Sequence, residues 1–304
     1  MDLAHLVKLA IATSVLLMAI SLGLRTTWAD ATSLIRNLFQ PPRSLLRALI
    51  AMNVVVPVVA VVVAKAFDLP QAVKIALLAM SVSPIPPLLP GKQLKFGGRP
   101  AYVFGLLVGV SIAAILLVPL GVDILGRIFG RESHLGFIPV AILIGKSVFL
   151  PLVLGLTVAH FSPAIAGRLA PVLARIGNVL LVAGLLPLLI SFWPAVRTLI
   201  GNGTLIATAA VVVTAIAAGH LIGGPDPHDR TALGIFSAMR HPGVALSIAT
   251  TNFPDNKTVT GAILLFVLTA TILTSIYAVL MVRRLSSSKS GHRPTRGTEE
   301  GTAR

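Results

Sequence analysis

The stretch KIALLAMSVSPIPPLLPGKQLKFGGRP, residues 74–100, decides how this chain folds. It begins as an apolar helix and then meets Pro84, Pro86, Pro87 and Pro90, with glycines at Gly91, Gly97 and Gly98. Each proline lacks a backbone donor and its ring clashes one turn back, so no regular helix runs through the segment. A second interrupted stretch, TALGIFSAMRHPGVALSIATTNF at 231–253, holds Arg240, His241, Pro242 and Gly243 at its centre. Lipid cannot satisfy free N–H and C=O groups. Such backbone survives at membrane depth only inside protein or beside a water-filled cavity. The bland alternative for the first stretch is a helix that stops at Ser83, leaving 84–98 as a loop.

The rest of the composition puts both stretches in a membrane. The chain has 304 residues, 55% apolar and only 12% charged, with a mean hydropathy of +0.92, whereas a soluble domain carries about 25% charged residues. No cysteine is present, which excludes a disulfide framework, an iron–sulfur cluster, a thiolate metal site and a cysteine nucleophile. The net charge of +15 does not imply a nucleic-acid partner. Such binders gather basic residues on a water-facing surface, and here they fall between apolar runs.

A bilayer core of about 30 Å needs about 20 helical residues. Nine runs qualify, at approximately 4–24, 45–67, 71–97, 99–122, 136–160, 170–195, 203–222, 229–252 and 257–282. The expected architecture is therefore an all-α integral membrane protein of nine transmembrane helices occupying 1–282. A basic, disordered cytoplasmic tail is expected at 283–304. Read as a secretory leader with Ala29 near its cleavage point, the first run lacks a basic n-region beyond Lys8 and is interrupted by Arg25. The excess of lysine and arginine puts the tail inside, together with Arg25, Arg47, Lys92, Arg99, Arg168 and Arg230. The N-terminus is then outside, and the protein lies in the cell's inner or plasma membrane.

The interrupted runs are the third and the eighth, each followed by one further helix before the midpoint or the tail. Helices one to four thus correspond to six to nine. Broken segments in matching positions of two halves are the best pointer from sequence to a transporter site built by an inverted repeat.

At these two segments the chain resembles the bile acid:sodium symporter family. The similarity runs from SLGLRTT (21–27) through the proline-rich crossing, GKSVFLPLVLGLTVAH (145–160) and SAMRHPGVALSIAT (237–250). A first helix found in ten-helix bacterial relatives is missing from this pattern. The resemblance implies a panel of helices at about 4–24, 136–160 and 170–195, packed against a core made of the other six. It also implies alternating access for an organic anion carried with sodium. The family's Ser-Asn element in the first crossing is matched here by Leu89 and Pro90, and its Glu and Gln-Asn pair by Phe236, Arg240 and His241. The acidic sodium ligand is absent and a fixed cation stands nearby.

All ten acidic residues fall in loops, span ends or tails. Sodium about 4 Å from an unpaired Arg240 would be repelled by about 4 kcal/mol at an effective dielectric of 20. Sodium is disfavoured at the inherited positions. Hydroxyls of Ser81, Ser83, Ser237 or Thr250 remain available for an ion elsewhere, and no other cofactor is expected. The same charge favours an anion. Arg240 offers a planar fork, and the half-helix after Pro242 and Gly243 directs free N–H groups at the break. Lys92, Pro90, Phe236 and Gly243 complete the expected substrate site. The alternative for Arg240 is a pairing with carbonyls freed by the break. His241 has two readings, a proton-coupling group and a bystander bonded to a freed carbonyl. Asn53 and Asn178 either join helices or line the path.

No enzyme motif is present: neither HExxH, DxD, GxSxG, a Walker A loop nor CxxC. GGPDPHDR at 223–230 reads as a polar loop rather than a metal site. The expected function is a secondary transporter of a small organic anion with doubtful sodium coupling. The alternatives are an anion-binding receptor without transport and a sodium-coupled symporter using other ligands.

Overall fold

The computed structural model describes residues 3–36, 43–95, 97–201, 203–254, 256 and 258–290. The expected tail beyond Ser290 lies outside the described residues. Among them the protein is all helical. Seven helices are long and apolar enough to cross a membrane: His5–Gly23, Ser44–Ala66, Pro100–Ile128, Phe137–Phe161, Pro163–Leu199, Thr204–Ile222 and Thr258–Leu285. The two remaining apolar runs are the interrupted ones, each present as a pair of short helices end to end.

In chain order the helices are α1 (Leu3–Gly23), α2 (Trp28–Arg36), α3 (Arg43–Ile50), α4 (Val56–Ala66), α5 (Gln71–Val82), α6 (Leu89–Lys95) and α7 (Pro100–Ile128). They continue as α8 (Phe137–Ile144), α9 (Leu150–Phe161), α10 (Pro163–Leu199), α11 (Thr204–Ile222), α12 (Pro227–Ala238), α13 (Pro242–Asn252) and α14 (Thr258–Ser290). α3 and α4 form one span through a π-helical turn at Ala51–Val55, and α8 and α9 another through a π turn at Gly145–Phe149. Both turns precede a proline, Pro57 or Pro151. Proline has no N–H to close the next helical bond, and a wider turn relieves the clash of its ring.

α1, α9 and α10 pack on one another as one layer. Glycine makes this contact close. A Cβ on Gly155 would collide with the Ile20 carbonyl, and one on Gly177 would lie 2.7 Å from Met18 Cγ. The remaining spans surround the broken helices, with α5 against α4, α7, α13 and α14, and α11 against α4, α12 and α14.

Two differences from the sequence reading stand out. α2 is a short helix between the first two spans that packs against α7, where Ser33 Oγ donates to the Ala101 carbonyl at 2.8 Å. α14 continues to Ser290, eight residues past the expected end at 282. Polar and basic side chains there do not stop a helix, because Ser, Lys and Arg still allow every backbone bond.

Candidate functional site

The first broken pair parts after Val82, where Ser83 turns extended at φ −72°, ψ 148°. The second parts after Ala238, with Met239 and His241 extended. The two breaks meet: the His241 N–H donates to the Pro84 carbonyl at 2.8 Å. That carbonyl is free because the prolines that follow cannot continue α5. The loop alternative for 84–98 holds only in part: the first helix does end at Val82, but α6 runs from Leu89 to Lys95, and Ile85 and Leu89 are buried.

Arg240 is 2% exposed and ties three elements together. One terminal nitrogen donates to the Ser83 carbonyl at 3.1 Å and the other to the Met52 carbonyl. Both acceptors exist for a local reason. Ser83 is followed by Pro86 and Pro87, which have no N–H to return to it. Met52 sits in the π turn, where the Val56 N–H reaches past it to the Ala51 carbonyl. The next possible donor to Met52 is Pro57, which has none. A single guanidinium thus satisfies carbonyls that prolines in two different spans leave open. Its Nε is buried without a partner, as is Ser237 Oγ.

His241 is 8% exposed, and its Nδ1 accepts the Gly243 N–H at 3.1 Å, capping α13. An accepting Nδ1 means that the ring is neutral with its proton on Nε2, and that Nε2 is buried without a partner. Ser81, Ser83 and Thr250 donate their hydroxyls to carbonyls of their own helices. Phe236 and Pro90 are buried and Gly243 half-buried.

Lys92, one of the residues expected at a substrate site, lines a cleft of about 450 Å³ between the end of α1, the start of α10 and the first break. Arg25 and Arg175 line it too, with Ser21, Asn178, Pro87 and Gly91. Arg25, Lys92 and Arg175 are exposed side chains, and no carboxylate is among the lining residues. Arg240 is not in this lining. Its two terminal nitrogens donate to carbonyls, which is the alternative reading of this residue.

Sequence reasoning missed Arg175, which falls inside the sixth apolar run and was not singled out. The signal was present. Pro171, Ala174, Arg175 and Asn178 follow the i, i+3, i+4, i+7 pattern of one helix face, and together they form the α10 wall of the cleft. The GGPDPHDR loop has a structural account. Asp226 caps α12 by accepting the His228 N–H at 2.8 Å, and Asp229 accepts from Arg99 Nε at 3.0 Å. Arg99 is tied by the same contacts to the start of α12.

Long apolar helices, with two broken spans joined at their breaks and a cationic cleft beside them, make this an integral membrane protein. The sequence agrees: residues 12–218 match the model of the sodium bile acid symporter family, and the chain belongs to that family. It is also similar to the P3 protein of Homo sapiens and that of Bos taurus. Each is 27% identical over 165 residues, a match covering 50% of this chain and 32% of the relative. The match thus spans about a third of the length of these curated relatives.

Proposed function

We propose that this protein is a secondary carrier of organic anions that binds its substrate in the cleft between α1, α10 and the first break, and does not use sodium. The observation that carries the reading is the convergence of Arg25, Lys92 and Arg175 with no carboxylate among the lining residues. A carboxylate or sulfonate about 4 Å from one of these cations gains about 4 kcal/mol at an effective dielectric of 20. Met18, Leu22 and Val179 offer apolar surface to the rest of the molecule. The cleft lies between the α1, α9 and α10 layer and the body holding the breaks. Motion of one against the other opens the substrate to alternate sides. The cationic side is cytoplasmic by the positive-inside rule.

Arg240 supports the absence of sodium coupling. Its guanidinium takes the Ser83 carbonyl at the crossing and the Met52 carbonyl of the neighbouring span, and it repels any cation placed beside them. Its charge adds to the field of the cleft without touching the substrate.

Uptake of labelled organic anions, a bile acid among them, into proteoliposomes tests the reading. Arg175→Gln and Lys92→Gln each reduce uptake at least tenfold, and replacement of sodium by choline changes nothing. Saturable binding without flux would make the protein a receptor instead, and strict sodium dependence would remove the role given to Arg240.

A further inference from the structure

A second cavity, of about 280 Å³, opens on the opposite face, between the start of α5 and the ends of α7 and α13. No residue of α1, α9 or α10 lines it, so it does not belong to the cleft. Its deep part is apolar, formed by Ala79, Val82 and neighbours, while Lys74 and Arg131 stand among its polar lining residues, with no carboxylate in the lining. The wall is built rather than left over. The 129–133 loop folds back so that the Arg131 N–H reaches the Gly126 carbonyl at 2.9 Å, and a Cβ on Gly126 would lie 2.7 Å from the Arg131 carbonyl. The His134 N–H donates to Asn252 Oδ1 at 2.7 Å, which ties the same loop to the end of α13. The Arg131 guanidinium stacks 5.9 Å from the centroid of the Phe253 ring, another lining residue.

An apolar pit with cationic lining groups matches a molecule with an alkyl chain and an anionic head. At about 30 Å³ for each water-sized group, the volume holds about nine methylenes, which is one chain and not two. We propose that this cavity is a binding site for a single-chain amphipathic anion, with a phosphate or carboxylate head on an alkyl tail. Because α5 and α13 are halves of the two broken spans, an occupant that touches both holds them at a fixed separation. The site is separate from the cleft assigned to the transported anion, so either assignment stands or falls alone.

Saturation binding of radiolabelled decyl phosphate to the full chain in phosphatidylcholine nanodiscs tests this. In the Arg175→Gln background, where the cleft is weakened, one molecule binds per chain, at least tenfold more tightly than decanol or inorganic phosphate. Lys74→Gln and Arg131→Gln each weaken binding at least tenfold, and Ala79→Phe abolishes it. Lys92→Gln and Arg175→Gln leave it unchanged. Indifference to Lys74→Gln and Arg131→Gln would overturn the assignment. So would loss of binding in Arg175→Gln, which would put the ligand in the cleft. Effective competition by two-chain phosphatidylglycerol would overturn the single-chain assignment, whereas competition by decanoate alone supports it.

Discussion

Replacing Arg240 by alanine separates the two roles a buried guanidinium can have. The side chain is 2% exposed and donates to the carbonyls of Ser83 and Met52. Its loss leaves both without a donor at membrane depth, at about 1–3 kcal/mol each. Removing a buried cation that has no carboxylate partner among the described residues relieves a desolvation cost, which sets the net loss near the lower end, about 2 kcal/mol. At about 2.1 cal/mol/K of unfolding entropy per residue, the 304 residues shift by about 1.5 °C per kcal/mol, and Tm falls by about 3 °C. Thermal unfolding in detergent, followed by the fluorescence of Trp28 and Trp193, reads the change. Arg240→Lys, which keeps the charge and one carbonyl contact, falls by about half as much. Pro57→Ala in the Arg240→Ala background returns an N–H to the π turn and recovers part of the loss. An Arg240→Ala protein that unfolds at the wild-type temperature would refute the clasp. If it also lost stabilisation by added anion, the guanidinium would be a direct substrate contact.

Other outcomes follow from the same geometry. Gly155→Ala forces a methyl against the Ile20 carbonyl and costs about 1–3 kcal/mol, seen as a lower Tm and less uptake; an unchanged Tm would show that α1 and α9 separate freely. Arg99→Gln leaves the carboxylate of Asp229, 6% exposed, without its partner and costs about 1–3 kcal/mol; a Tm equal to wild type would make the pair irrelevant to the start of α12. His241→Asn keeps a side-chain acceptor for the Gly243 N–H, so uptake retains its pH profile. A flattened profile would instead assign the coupled proton to this ring.

What could be read in the sequence was local chemistry. Prolines announce themselves wherever they stand, so the two breaks were legible from Pro84, Pro86, Pro87 and Pro242. So was the buried position of Arg240, since an arginine inside an apolar run must find protein or water. Its partner was not legible. The Met52 carbonyl becomes an acceptor only because the turn before Pro57 widens, and it is 188 residues from Arg240 in the chain. The cleft was half legible. Lys92 drew attention beside the break, whereas Arg25 looked like an ordinary charge at a span end. Arg175 lay inside a run whose tally of apolar residues concealed its polar face. α2 escaped notice because nine residues with moderate amphipathicity carry little signal until a neighbour such as α7 gives them something to bury against.

The clasp at the crossing bears on energy supply. A carrier that has its compensating positive charge bolted to the scaffold brings none across with its cargo. Each passage of a monoanion then shifts one net negative charge. For a carrier of the proposed kind, at about 2.3 kcal/mol per 100 mV, a cell interior about 100 mV negative favours such cargo on the outside by about fiftyfold.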